Sequence, residues 1–547
     1  MSQIRVTDLT FCYEGSYDNI FENVSFQIDT DWKLGFIGRN GRGKTTFLKL
    51  LMGELEYRGS ISSSVKFDYF PLQISDERLR TLDQIKDWIA PYRSWEAVLD
   101  RFTETERGEK TASTGAEPDT EAARRQQERL LEEYSRVLEL YLAHDGYAIE
   151  ERIKKETASL GIREEALYRP VGTLSYGEQT KIMLASLFLK TNYFLLIDEP
   201  TNHLDADGRA QLADYMKRKK GFILVSHDRY FLNQVIDHVL SLNRCSIQMQ
   251  KGNFDSWKQN KDQEDESQLD QNLHLKKEIR RMEEAFRRTK GWSDKIEDSK
   301  IGTHAADRGA IGAQSARMMK RAKVVEARQQ RALREKEGLL KNLETAQNLK
   351  LFPLEYRTDT LVSFADAAPI YDGNQVCAPV TFSIQQGDRI ALEGRNGSGK
   401  SSLLKLLTDD TLAHSGRVTV GSGLVISVVA QDSSSLSGTL TEFAEKYGLE
   451  ESLFKAVLRQ MDFERVQFDK RMEDFSEGQK KKVLLARSLC ERAHLYVWDE
   501  PLNYIDIYTR MQIEQLILEY SPTMLFVEHD RMFRDRIATR TVEVGDI

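Results

Sequence analysis

The chain has 547 residues, 40% of them hydrophobic and 30% charged, and a net charge of −8. That length exceeds one hydrophobic core and implies two or three domains, while the acidic balance excludes a general polycation, so any nucleic-acid contact needs a local basic region. Cys12, Cys245, Cys377 and Cys490 lie far apart with no CxxC pair, which excludes a disulfide framework and a zinc module.

From the N-terminus, Met1 to Arg5 runs straight into a strand pattern without a signal-like stretch. No apolar run approaches the roughly 18 residues of a membrane span. A cytoplasmic protein with no membrane domain of its own is expected. The first strong motif follows a strand, Lys33–Ile37: Gly38-Arg39-Asn40-Gly41-Arg42-Gly43-Lys44-Thr45-Thr46, opening a helix over residues 45–52. A glycine loop between strand and helix curls backbone N–H groups around phosphates, with help from the helix N-terminus. Lys44 neutralises the β/γ charge there and Thr45 offers a hydroxyl to Mg²⁺. Gln73, just after a later strand, either senses Mg²⁺ and water or is a surface residue.

Residues 85–102 and 123–142 are predicted helices, broken or started at Pro91, and 103–122 reads as a disordered loop. Together they form an inserted arm over about 76–150, which either meets a partner or is a solvated insertion. Leu174-Ser175-Tyr176-Gly177-Glu178-Gln179 sits at a predicted helix N-terminus, where Ser175, Gly177 and Glu178 are assigned to ATP. An apolar strand, 193–197, runs into Asp198, a carboxylate for Mg²⁺, and Glu199, which can polarise the water attacking the γ-phosphate. A second, Phe222–Val225, precedes His227, which can hold that water.

Residues 269–348 carry almost no strand pattern and no proline. Leu275, Ile279, Met282 and Phe286 form an a/d seam, and Met318, Ala322, Val325, Leu339 and Leu343 a weaker one. Gly291, Gly302, Gly309 and Gly312 are expected to interrupt the helix between them. The prediction is an antiparallel hairpin with an irregular tip. Residues 271–350 hold 20 Lys and Arg against 11 Asp and Glu, a net +9 that leaves −17 for the rest. A basic hairpin on an acidic body points to RNA.

The motifs then return in order. Gly394, Asn396, Gly397, Gly399, Lys400, Ser401 and Ser402 repeat the loop after the strand Arg389–Glu393 and before a helix over 401–407. Gln431, Ser476, Gly478, Gln479, Asp499, Glu500 and His529 repeat the remainder. Ser401, Gln431 and Asp499 join Thr45, Gln73 and Asp198 as expected Mg²⁺ contacts, some through water. From the first glycine to the signature serine is 137 residues in the first copy and 82 in the second. The duplication makes an α/β protein of two tandem P-loop ATPase domains joined by a helical hairpin: 1–255, 256–350 and 351–547.

These motifs resemble those of ABC ATPases. That resemblance implies head-to-tail domains within a monomer that sandwich two ATP molecules, with Tyr13 and Tyr371 placed to stack on adenine, although Tyr371 serves equally well as packing. Site one would join Lys44, Gln73, Glu199 and His227 to Ser476 and Gly478, and site two Lys400, Gln431, Glu500 and His529 to Ser175 and Gly177. With an arm, a basic interdomain hairpin and no membrane domain, the chain is similar to ABC-F proteins. These bind the bacterial ribosome at the exit site, touching rRNA and peptidyl-site tRNA. Within them it resembles most the Lsa/Vga-type antibiotic-resistance group, on Asp29-Thr30-Asp31-Trp32-Lys33-Leu34-Gly35, on Lys290-Gly291-Trp292-Ser293-Asp294-Lys295, on Pro501-Leu502-Asn503-Tyr504-Ile505-Asp506, and on Glu528 before His529. The implied function is displacement of lincosamides, pleuromutilins and streptogramin A by the hairpin tip. Lys290, Trp292, Lys295, Arg308, Ile311, Lys320 and Arg321 are the candidate determinants, although Trp292 serves equally well as packing. A housekeeping ABC-F factor and the soluble ATPase subunit of a transporter are the alternatives. Tyr176 and Glu477 depart from the usual signature glycine, Glu178 from its glutamine, and Tyr504 from a histidine. Glu477 and Tyr504 are expected to face site one, where a carboxylate near the phosphates would weaken hydrolysis.

Overall fold

The computed structural model describes residues 2–13, 19–112, 121–202, 204–243, 246–298, 349–395, 397–409 and 411–545. They fall into two units, Met1–Phe254 with Gln347–Ile547, and Asp255–Ala346.

Each half of the first unit is built on a largely parallel sheet. In the first half the order is Lys66–Phe70, Tyr193–Asp198, Phe222–Val225, Lys33–Ile37, His238–Asn243 and Ser246–Lys251, with the last strand antiparallel to its neighbour. In the second half it is Ile426–Val429, Leu495–Asp499, Met524–Val527, Arg389–Glu393 and Arg540–Glu543. Phe222, Ile223, Leu224 and Val225 are all buried, as are Leu495, Tyr496, Val497 and Trp498. Continuous apolar runs of this kind are what a strand covered on both faces requires. A smaller antiparallel sheet flanks each: Gln3–Phe11 with Phe21–Asp29 and Arg58–Ser63, and Thr360–Tyr371 with Val380–Gln385 and His414–Val420.

The parallel register explains why distant motifs meet. Asp198 pairs with Val225, Lys33 with Phe222, and Asp499 with Val527. The carboxyl ends of three neighbouring strands therefore lie along one edge, where ligands of open α/β sheets bind. The glycine loop, the Asp-Glu pair and the histidine each follow one of those ends.

The insertion is more helical than its composition suggests. Helices Thr81–Ile89 and Tyr92–Ala112 flank Pro91 and Glu121–Ala143 follows, so the expected loop over 103–122 is helical on both sides of residues 113–120, which lie outside the described residues. Glu, Arg, Lys and Ala are good helix formers. The two long helices also pair, with Phe102 stacked on Tyr134 at 4.2 Å. In the second unit the helix Phe254–Asp298 runs through Gly291 without interruption. A single glycine costs a helix only about 1 kcal/mol. Leu275 and Ile279 of the predicted seam are half-buried and buried. The expected returning helix, with Met318, Ala322, Val325, Leu339 and Leu343, lies outside the described residues.

Within the first unit the two halves are joined by ion pairs. Arg229 donates to Glu514 at 3.1 Å and stands 3.6 Å from Asp530. Glu514 also accepts from Arg536 at 3.1 Å. Arg531 lies over the Tyr230 ring at 5.0 Å. Arg229, Glu514 and Asp530 are buried, so each charge depends on the others for compensation.

Candidate active sites between the halves

Both glycine loops have the left-handed residues their curl demands. Gly43 and Gly399 cap their helices at φ 100° and 88°. A Cβ on Gly43 would come within 2.5 Å of Ile20. Lys44 donates to the Gly38 and Arg39 carbonyls and the Asn40 side chain at 2.7, 3.2 and 3.2 Å. Lys400 donates to the Gly394 and Arg395 carbonyls at 2.8 and 2.7 Å. Burial lowers the Lys44 pKa, with Asp506, Glu199 and Asp198 opposing.

Site one is a cavity of about 500 Å³. Asn40, Gly41, Lys44, Thr45, Asp198, Glu199 and His227 line it from the first half, and Ser476, Gly478 and Gln479 from the second. The Asn40 side chain donates across the boundary to the Tyr504 carbonyl at 2.8 Å. Site two, about 990 Å³, brings Gly397, Gly399, Lys400, Ser401, Ser402, Gln431, Glu500 and His529 to Ser175, Gly177 and Glu178. Gly38 and Thr46 belong to the first loop and helix, and Gly394 lines an adjoining cavity. Asn396 lies outside the described residues.

The carboxylates differ between the sites. Thr45 and Tyr69 both donate to Asp198, at 3.2 and 3.0 Å. Ser401 hydrogen-bonds Asp499. Burial raises both aspartates despite these bonds. Glu199 and Glu500 sit at left-handed φ of 51° and 46°, and strain of this kind clusters at functional sites. Burial and the Asp198 charge push Glu199 up to about 8. Its carboxylate accepts from the His227 N–H at 3.3 Å, and the His227 ring lies at the same distance. Burial and the Lys44 charge hold that imidazole well below its usual pKa, hence neutral. Burial also acts to raise Glu500, but His529 at 3.3 Å and Gln431, donating at 3.0 Å, outweigh it and hold the carboxyl low. Asn503 donates to it as well, at 2.6 Å.

The donors fit a hard cation. A hydroxyl and a carboxylate meet in each site, and Asp499 keeps a buried oxygen without a hydrogen-bond partner. Among the described residues no cluster of three or more His, Cys, Asp or Glu could hold a metal. One or two protein oxygens plus substrate phosphates is the usual way Mg²⁺ is held. Thr45 with Asp198, and Ser401 with Asp499, would hold the ion that neutralises phosphate charge.

Several expected residues behave differently. Gln73 is exposed and does not line site one. Its carbonyl accepts from Trp88 at 2.9 Å, and Tyr69 and Pro71 line the cavity instead. Register gives the reason: Phe70 pairs with Ile197 as Val429 pairs with Trp498, so Gln431 corresponds to Leu72 and not to Gln73. Glu178 caps its own helix, accepting from the Ser175 N–H and hydroxyl at 2.9 Å each. Gln479 accepts from the Ser476 N–H at 3.0 Å in the same way. Ser-x-x-Glu/Gln is a capping box, and this role was available in the sequence. Glu477 lines both cavities, but its carboxylate accepts from Ser433 at 2.6 Å and pairs with Lys480 at 3.0 Å, which compensates its charge. Tyr13 shares a hydrogen bond with Thr46 at 2.9 Å and is half-exposed, as is Tyr371. Lys290, Trp292 and Lys295 fall on the helix Phe254–Asp298, and Arg308, Ile311, Lys320 and Arg321 lie outside the described residues.

Sequence reasoning missed Tyr69, Asp462 and Lys482. Tyr69 stands one strand away from Asp198, a placement that alternation along Lys66–Phe70 could have suggested. Asp462 lies 3.5 Å from Arg42 and 3.8 Å from Arg39 across the boundary. Lys482 pairs with Asp506 at 3.4 Å under site one. These partners have no local sequence signal.

Among the described residues no helix is long and apolar enough to cross a membrane. The family model described as ABC transporter matches residues 21–202 and 377–503. The chain is 27% identical over 540 residues to the energy-dependent translational throttle protein EttA of Escherichia coli K12, covering 96% of this chain and 90% of that protein. It is equally identical to the putative ATP-binding protein YdiF of Bacillus subtilis 168, over 96% of this chain and 78% of that one. In fold it is similar to the archaeal ribosome recycling factor aABCE1, solved with the archaeal ribosomal stalk protein aP1, at a TM-score of 0.54, 17% identity, and coverage of 98% and 87%. Two composite sites, with that match in both halves, make this chain a tandem ATPase of the ABC transporter family, similar end to end to proteins of the ABC-F kind.

Proposed function

We propose that the chain is an ABC-F protein of the bacterial cytoplasm, a monomer that closes its halves on two Mg²⁺-ATP molecules and in that state binds the ribosome at the exit site. Residues 1–255 and 351–547 act as the ATPase domains and 256–350 as the ribosome-directed hairpin. The observation that carries this reading is the pairing of each phosphate loop with the other half's signature serine and glycine. ATP there is a ligand with a large preference for the closed arrangement, which is what a conformational switch requires. Glu199 and Glu500 polarise the attacking water, and His227 and His529 hold it. Hydrolysis then releases the halves. The net +9 over 271–350 supports phosphate contacts with rRNA and tRNA.

Within that function, we favour protection of the peptidyl-transferase centre from lincosamides, pleuromutilins and streptogramin A, on the Lsa/Vga-type segments given above. A housekeeping translation factor is the second reading, favoured by likeness to EttA over 96% of the chain. Bacterial translation in vitro with lincomycin or tiamulin, titrated with the purified protein, separates them. Protection predicts restored synthesis by the wild type and failure of Glu199→Gln/Glu500→Gln to sustain it over many rounds. ATP-dependent ribosome binding without rescue from any such drug would instead establish the housekeeping factor.

A further inference from the structure

The two histidine loops are built differently. In the first half Ser226 precedes His227. Its hydroxyl accepts from the Asp228 N–H at 3.1 Å and shares a hydrogen bond with the Thr201 hydroxyl at 3.2 Å. This neutral pair ties the loop after Glu199 to the histidine loop. In the second half the corresponding residues are Leu502 and Glu528. Leu502 has no hydroxyl, and the carboxylate spans the gap alone. Glu528 Oε1 accepts from the His529 and Asp530 N–H groups at 2.8 and 3.2 Å, and Oε2 accepts from the Leu502 N–H at 3.2 Å. The side chain is buried, at 4% exposure. Hydrogen bonds from N–H groups to an ionised carboxylate are roughly twice as strong as neutral ones.

We propose that Glu528 is a positioning residue for hydrolysis at site two, locking the loop that carries Glu500 to the loop that carries His529. The proposal rests on reading Glu500 and His529 as the catalytic pair. His529 Nε2 lies 3.3 Å from Glu500 Oε1, and the two residues belong to loops with no covalent link shorter than 29 residues. Glu528 touches neither reacting atom. It sets the separation of the groups that do, and small misplacements of such groups are costly in rate.

Glu528→Gln keeps the volume but offers only one accepting oxygen, so the amide can serve Leu502 or the histidine loop and not both. Leu502→Thr/Glu528→Ser rebuilds the neutral pair of the first half. The full-length protein would be assayed in a Glu199→Gln background, where remaining turnover belongs to site two. The measurements are kcat and KM for ATP, with the melting temperature alongside. Glu528→Gln is expected to lower kcat about tenfold with KM within about twofold and melting unchanged. The double substitution is expected to recover most of that loss, and Glu528→Ser alone is not. An unchanged kcat would overturn the proposal. So would a joint fall in kcat, nucleotide affinity and melting that the double substitution fails to rescue, which marks an ordinary core contact. Absence of turnover in the Glu199→Gln parent would instead sink the assignment of an independent second site, and the role of Glu528 with it.

Discussion

Site one and site two carry the same motifs in the same order, yet they close differently. In site one, Arg39 and Arg42 of the phosphate loop face Asp462 at 3.8 and 3.5 Å, and Asn40 grips Tyr504. In site two the residues at the positions of Arg42 and Asp462 are Ser398 and Gly161. Asp462 and Gly161 both end a helix in the left-handed region, at φ 61° and 74°, so the backbone is shared and the charge is not. The cavities follow, about 500 Å³ against about 990 Å³. The glutamates differ too, with Glu199 pushed up to about 8 and Glu500 held low. The motifs thus specify what each site binds and, through Asp198 in one and His529 with Gln431 in the other, bias the two glutamates differently, while Asp462 and Tyr504, outside them, hold site one across the boundary.

The largest test of that contrast removes one base at a time. At pH 7 Glu500→Gln should reduce steady-state ATP hydrolysis about tenfold and Glu199→Gln much less, because a general base contributes only when ionised and Glu199, mostly protonated at pH 7, leaves site one about a tenth of the turnover. The pH profiles sharpen it. A raised pKa leaves Glu199 protonated below about 8, so Glu500→Gln should gain activity between pH 7 and 9. Glu500 is already ionised there, and Glu199→Gln should stay flat over the same range. Parallel profiles would refute the electrostatic difference.

A smaller effect concerns closure. Asp462→Asn keeps a residue tolerant of the left-handed backbone and removes the charge. Release of a fluorescent ATP analogue from site one, read in a Lys400→Ala background, should accelerate about fivefold, the size of a half-exposed ion pair. The wild-type rate should also rise with salt. An unchanged rate would leave the two cavities different for some other reason. The smallest effect is at Tyr69. Tyr69→Phe removes one hydrogen bond to Asp198, worth about 1 kcal/mol. It should shift the Mg²⁺ requirement of site one by a few fold and leave site two untouched, where Val428 occupies the matching register. A magnesium titration of each single-site variant reads this directly.

Much of the chemistry was legible because it is local. A glycine loop between an apolar strand and a helix needs only a dozen consecutive residues, and the apolar strands before Asp198, Glu199 and His227 announce their own ends. Gln73 stayed open between a site residue and a surface one because a glutamine after a strand looks the same whichever residue of the turn it occupies, and the register against Tyr193–Asp198 decides which one faces the cavity. Glu178 lines site two and also caps its own helix. Its place in a nucleotide motif hid a capping box. The arm was read as helical with a loop over 103–122, yet residues 103–112 continue the first helix, and Phe102 against Tyr134 shows the side-chain pairing that steadies both helices.

The sequence by itself determined that this chain is a duplicated P-loop ATPase with a glycine-loop, an Asp-Glu and a histidine motif in each half, since each motif follows from periodicity and spacing within one segment. The tertiary structure alone decided which charged pairs join the halves. Arg42 and Asp462 are 420 positions apart, and Arg229 and Glu514 are 285. No local pattern encodes such a pair, because its energy arises only when packing removes both charges from water and sets one beside the other.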